Sequence, residues 1–219
     1  MNMRALIGKN TIFFLPYFLL LIGSFMLQLW ISSPMITFII NSWHNTLADP
    51  VFVLLTDLGN GLTTLLVCFV LLFVSYGRAL IFLILTNIAG LFAQIFKRLI
   101  DSPRPFIYFS HHSPLLHFVQ GIQIFRDHSF PSGHTTTAFS MAVLLVLFSK
   151  KKQFTFIYLL LAIGVAWSRI YLGEHFFADV VAGSILGTIT SLVGFYLINR
   201  TKMPEGQWYN SNIFSKKLV

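Results

Sequence analysis

Six segments of this chain, residues 11–31, 60–77, 79–96, 134–149, 154–171 and 179–198, are almost continuously apolar. A helix needs about 20 such residues to cross the hydrocarbon core of a bilayer. The expected fold is therefore all-α: an integral membrane helical bundle with six transmembrane helices. Charged residues fill only 10% of the 219 positions, where a soluble domain carries about 25%. The mostly tight connections between segments argue for a single domain over 1–219. Cys68 is the one cysteine and lies inside an apolar run, so no internal disulfide is possible.

The N-terminal run follows Arg4 and Lys9, as a signal peptide would. It is longer than a signal core of roughly 7–15 residues and precedes no small-x-small cleavage pattern, so it reads as a retained first span. Residues 34–56 are apolar but interrupted by Pro34, His44, Asp49 and Pro50. They are expected to form an outer-face interfacial helical region with a re-entry. Residues 98–133 read as the one long loop.

In a soluble protein the net charge of +8 would point toward nucleic acid. Here the basic residues act first as topology signals, and nucleic acid is not expected as a partner. Placing the N-terminus inside puts ten of the fifteen Lys and Arg inside: Arg4, Lys9, Arg78, Lys150, Lys151, Lys152, Arg200, Lys202, Lys216 and Lys217. The positive-inside rule then sets both termini in the cytoplasm. The same topology sends all seven histidines and every acid except Glu205 to the outer face. Nearly all groups capable of proton chemistry share that side, which is where an active site is expected.

Three polar clusters sit at span ends on that face: "KRLIDSPRP" from Lys97, "PSGH" from Pro131, and "SRIYLGEHFFAD" from Ser168. Lys97, Arg104 and Arg169 come from separate segments, and three converging cations need an anion among them. Arginine suits phosphate because its planar fork donates two parallel hydrogen bonds. Ser132-Gly133-His134 opens a helix, whose free N–H groups and dipole also favour an anion. Gly133 admits close backbone approach. Together these residues form a phosphate cradle without an obvious metal ligand set. His134 and His175 adjoin it. Asp179 lies four residues after His175, on the same helical face if the last helix starts there. It is placed to hold the ring as the acid of a catalytic triad does. A histidine so held is a candidate nucleophile, and the other a general acid. The residues by themselves leave open which one attacks.

Lys97-x6-Arg104-Pro105, Pro131-Ser132-Gly133-His134 and Ser168-Arg169-x5-His175-x3-Asp179 together resemble the three-part signature of the type 2 phosphatidate phosphatase superfamily. The resemblance implies that Lys97, Arg104, Arg169, Ser132 and Gly133 bind phosphate. It implies that His175, oriented by Asp179, attacks phosphorus to form a phosphohistidine, and that His134 protonates the leaving group. It implies no metal and no cofactor. Within the family the chain is most similar to bacterial lipid phosphatases acting on phosphatidylglycerophosphate or undecaprenyl diphosphate. Lipid A phosphatases share the signature, and the apolar composition separates the chain from the soluble vanadium haloperoxidases. A lipid phosphate substrate, surrounding membrane lipids and a bacterial inner membrane location follow as expectations. The physiological lipid stays open. A phosphotransferase to a second lipid, and a non-enzymatic transporter of an anionic headgroup, remain the alternatives.

Other polar residues carry weaker signals. Arg126 and His128, close to "PSGH", are candidate headgroup contacts or solvated loop residues. Arg98 reads as an interfacial anchor. His111, His112 and His117 lack the spacing of a tetrahedral metal set. They are expected in an aromatic loop that lies on the membrane and shapes lipid entry. Asp57 and Asn60 read as the start of the second span.

Overall fold

The computed structural model describes residues 2–110, 116–121, 123–200 and 210–215, and among these it contains helices and no strand. In chain order the helices are α1 (Met3–Gly8), α2 (Thr11–Trp30), α3 (Ser33–Asn41), α4 (Ala48–Asp57) and α5 (Gly61–Leu72). They continue with α6 (Tyr76–Ile100), α7 (Pro105–Ser110), α8 (Gly133–Phe148), α9 (Thr155–Tyr171) and α10 (Phe177–Arg200).

Four stretches are long and apolar enough to cross a membrane: Thr11–Trp30, Tyr76–Ser110, Lys152–Tyr171 and Phe177–Arg200. α4 and α5 pass jointly, bent by 58° at their break. That makes up to five spans by length and composition. The remaining expected span corresponds to α8, whose 16 residues reach about 24 Å at 1.5 Å per residue.

The helix expected from near residue 60 does start there, as α5 at Gly61, and a further helix, α4, precedes it across the bend. Helix lies on both sides of the break, because Asp49 and Pro50 fall in the first turn of α4. There a missing N–H breaks no helical bond and a carboxylate suits the dipole. Asn60 does start α5, its Oδ1 accepting from Thr63 N at 2.9 Å, whereas Asp57 ends α4. The loop expected over 98–133 is also shorter. α6 runs to Ile100, stops at left-handed Asp101 (φ 39°), and α7 opens on Pro105.

α8 is the central helix. Its buried residues, from Thr135 through Val146, occupy every side. One core joins it to Phe13, Phe14 and Tyr17 of α2 and to Leu159, Ala162 and Val165 of α9. A second joins it to Leu71 of α5 and to Ala79, Phe82 and Leu85 of α6. α10 approaches α8 most closely through glycines. A Cβ on Gly183 would stand 2.7 Å from the Ser132 carbonyl oxygen, and one on Gly187 would run into the Thr136 carbonyl. Small residues at such seams let backbones pack where lipid supplies no hydrophobic drive. The seam sets the start of α10 beside the start of α8, and Ser132 N donates to Asp179 O at 3.0 Å.

Candidate active site

The C-terminal ends of α6 and α9 and the N-terminal ends of α8 and α10 meet at one end of the bundle. They surround a cavity of about 470 Å³. Lys97, Arg104, Gly133, His134, Arg169 and His175 all line it, so three sequence-distant motifs converge on one space.

The cations are held from behind. Arg104 donates through Nε to Asp127 O (3.0 Å), and through Nη1 to the Glu174 carbonyl (3.1 Å) and carboxylate (2.7 Å). The Phe125 ring lies 4.9 Å from its guanidinium carbon. Arg169 donates through Nη1 to Thr56 Oγ1 (2.7 Å), and its Nη2 lies 3.4 Å from Glu174 Oε2. Its Nε is buried and has no partner among the described residues. Lys97, Arg104, Arg169 and Glu174 are all buried. Two buried carboxylates, Glu174 and Asp179, therefore face three cations, and the excess positive charge suits an anion. Burial pushes the Glu174 carboxyl above its usual range, while Arg169 and Arg104 pull it down.

Asp179 gathers donors for the histidine. Its Oδ2 accepts from Ser129 Oγ (2.5 Å) and Phe176 N (2.9 Å), and lies 3.3 Å from His175 Nδ1. Ser129 Oγ is itself 3.4 Å from the same nitrogen. With Nδ1 tied back, Nε2 is the ring nitrogen left for the cavity. Burial, then Arg104, Arg169 and Lys97, hold the His175 imidazole well below its ordinary range. The ring is therefore neutral at neutral pH and keeps its lone pair. The backbone of the same loop is pinned to α9, as Glu174 N and His175 N both donate to Arg169 O (3.0 and 3.1 Å).

Ser132 and Gly133 differ in placement. Ser132 is fully buried as the N-cap of α8, accepting from Thr135 N (3.4 Å) and Thr135 Oγ1 (3.0 Å), and is not among the cavity-lining residues. Gly133 does line the cavity, and a Cβ there would meet only Lys97 Cε at 4.0 Å. The first-turn amides of Gly133 and His134 have no upstream helical carbonyl.

His128 and Arg126 separate. His128 lines the cavity, with Nδ1 2.9 Å from Asp101 Oδ1. Arg126 lies over the Phe106 ring at 5.8 Å, outside the lining. His117, expected in a loop lying on the membrane, is tied to other segments. Its N–H and C=O both pair with the Asn41 side chain at 2.8 Å, and its ring stacks on His44 at 4.0 Å. Nε2 lies 3.4 Å from Asp49 Oδ2. This segment is fastened to α3 and α4. His111 and His112 lie outside the described residues. Among the described residues no group of three or more His, Cys, Asp or Glu could hold a metal ion.

Four contributors escaped the sequence reading. Glu174, Thr56 and Ser129 each hold a site residue. Gly59, at the α4–α5 break, lies so close to His134 that a Cβ would stand 2.8 Å from its carbonyl oxygen. Only Glu174 left a signal, as a carboxylate beside the candidate nucleophile.

Known proteins share both sequence and fold with this chain. It is 43% identical over 70 residues to the bacitracin transport permease protein BcrC of Bacillus licheniformis, covering 32% of this chain and 34% of that protein. It is 27% identical to the undecaprenyl-diphosphatase BcrC of Bacillus subtilis over 70% of this chain and 77% of that one. The crystal structure of Aquifex aeolicus LpxE superposes with a TM-score of 0.64 at 25% identity, covering 74% of this chain and 93% of that one. The PAP2 superfamily matches residues 78–203, which hold every residue from Lys97 to Asp179 that builds the cavity's charged wall. The chain belongs to the PAP2 superfamily.

Proposed function

We propose that this protein is a lipid phosphate phosphatase. It hydrolyses a phosphate monoester or diphosphate on a lipid headgroup, through a phosphohistidine and without metal. The observation that carries this reading is the neutral His175 ring. It is tied by Nδ1 to a carboxylate and lines a cavity rich in buried cations. Family membership supports the same class of chemistry.

Lys97, Arg104 and Arg169 take the phosphoryl oxygens, with the Arg169 Nε and the Gly133 and His134 amides as further donors. His175 Nε2 attacks phosphorus; the P–N bond forms as the P–O bond to the lipid breaks. His134, which takes up a proton when the anionic phosphate is bound beside it, gives that proton to the departing oxygen. Water then attacks phosphorus and returns a proton to His134, the P–N bond breaks, and inorganic phosphate leaves. Asp179 and Ser129 keep the attacking ring in its tautomer, while Ser132 fixes the α8 start.

The chain acts as a single membrane unit crossing six times, with α4–α5 as one bent span and α8 as a short one. Its site opens on the outer face of a bacterial inner membrane, with both termini inside. The lysine and arginine distribution and the gathering of all site residues at one bundle end support this topology. Phosphate release from a detergent-solubilised lipid phosphate tests the function. Wild type should turn over, and equal, negligible release by wild type and His175→Ala would sink the reading. A phosphorylated acceptor lipid in place of free phosphate would reassign it as a transferase.

A further inference from the structure

The last turn of α9 and the first turn of α10 leave backbone groups without helical partners, and α3 supplies partners at both ends of the loop between them. Thr37 Oγ1 accepts from Phe177 N (3.0 Å) and Ser33 Oγ from Ala178 N (2.9 Å). Asn41 Nδ2 donates at 2.7 Å to the carbonyl of Tyr171, the last residue of α9. Ser33, Thr37 and Asn41 stand four residues apart, so they form one stripe along α3. Thr37 is fully buried and Asn41 is 2% exposed. The stripe therefore bridges the loop that carries Glu174 and His175. The stretch matching the PAP2 superfamily begins at residue 78, so α3 stands outside it.

Asn41 also draws in a second segment. Its Nδ2 and Oδ1 pair with the His117 C=O and N–H, both at 2.8 Å, and the adjoining Phe118 packs on the turn at Gly173. That glycine is left-handed (φ 69°), and a Cβ on it would stand 2.9 Å from Phe118 Cε1. On the other side, the Tyr171 hydroxyl donates to Asp49 Oδ1 at 2.6 Å. His175 follows this turn by two residues, while Asp179, its partner, lies in the first turn of α10. A shift at either end of the loop would move one of them away from the other, and their contact is already 3.3 Å. The bonds from α3 also occupy the Phe177 and Ala178 amides, which an anion would otherwise draw. The phosphate is left to the cations and the start of α8.

We propose that Ser33, Thr37 and Asn41 are positioning residues for phosphoryl transfer. Acting through the two ends of the loop, they hold His175 against Asp179 so that Nε2 meets phosphorus. None of the three lines the cavity, so their effect falls on the chemical step and not on lipid or phosphate binding. The inference rests on the phosphatase reading and deepens it by giving α3 a part in the reaction.

The test is steady-state kcat and KM on one lipid phosphate, at a temperature well below the Tm of every variant. Thr37→Val removes the hydroxyl at nearly constant shape and leaves the Phe177 amide without its partner. It should lower kcat about fivefold to tenfold, the effect of roughly one neutral hydrogen bond, and leave KM nearly unchanged. Thr37→Ser should restore kcat. Ser33→Ala, at a half-buried position where folding is not at stake, should lower kcat in the same way. Asn41→Leu, which loses three bonds, should lower it at least as much. In an Asp179→Asn background the ring is already released, so adding Thr37→Val should cost little more. An unchanged kcat in one of the three variants removes that residue from the inference, and in all three overturns it while leaving the phosphatase reading intact. A loss that Thr37→Ser fails to restore, or one equally large on top of Asp179→Asn, overturns it too. A wild type without turnover removes the phosphatase reading and the inference together.

Discussion

Glu174 and Arg104 form a buried ion pair, carboxylate to guanidinium at 2.7 Å, with side chains 3% and 7% exposed. Arg169 closes on the same oxygen from the other side at 3.4 Å. The carboxylate separates two like charges that must otherwise wait for a phosphate. Removing one partner of a buried pair strands the other and costs about 3–5 kcal/mol. Glu174→Gln should accordingly lower thermal stability in detergent. Inorganic phosphate or vanadate should then raise its Tm more than that of wild type, because the anion takes over the missing charge. Equal shifts in both proteins would show that Glu174 does not organise the arginines.

Asp179 and His175 make the next prediction. Asp179→Asn keeps the size of the side chain but removes the charge that fixes the ring. In a triad such a change costs on the order of 10⁴-fold in kcat. A loss between about 10²- and 10⁴-fold is expected here, since Ser129 also reaches His175 Nδ1 at 3.4 Å. Ser129→Ala should cost less, about tenfold, consistent with one neutral hydrogen bond. Steady-state kcat on one lipid phosphate, compared with wild type, measures both. Full activity in Asp179→Asn would remove the orienting role.

Much of this site is legible in the chain, for a physical reason. Charges are scarce in an apolar sequence, so Lys97, Arg104, His134, Arg169, His175 and Asp179 stand out, and their places at helix ends point to one face. Ser132 is legible too, but as a helix start: its hydroxyl is spent on Thr135. What stays hidden depends on contacts between distant segments. Thr56 looks like any threonine in an apolar run until Arg169 donates to it. Gly59 looks like a plain breaker until α8 packs against it. The break between α4 and α5 is legible in Gly59 and Asn60, but its 58° angle is not. His117 is hidden in the same way. Its aromatic neighbours suggest a lipid surface, but they give no hint that Asn41, far away in sequence, pairs with its backbone N–H and C=O.

Gly59 offers a geometric test. A Cβ there would stand 2.7 Å from Val165 Cγ1 and 2.8 Å from the His134 carbonyl oxygen, distances that force a shift. The carbonyl belongs to the first turn of α8, so the shift moves the proposed acid. Gly59→Ala should lower kcat by about tenfold or more, as displacements well under 1 Å at a reacting group do. KM should change less. An unchanged kcat would mean that α8 tolerates the displacement without moving His134.

His175 sets a pH dependence of stability. In the unfolded chain its pKa is about 6.5, and in the folded protein burial and the neighbouring cations hold it well below that. The folded state therefore binds fewer protons than the unfolded state once pH falls below about 6.5. Stability from this group is complete above that pH and is lost as pH falls toward the depressed folded value. The Glu174 carboxyl, raised by burial, acts in the opposite direction at more acidic pH. A comparison of wild type with His175→Gln between about pH 8 and 5.5 separates the two. The Tm of wild type should fall relative to the variant only in the lower half of that range. A constant difference across the range would show that His175 titrates alike in both states, and so is not held neutral by its surroundings.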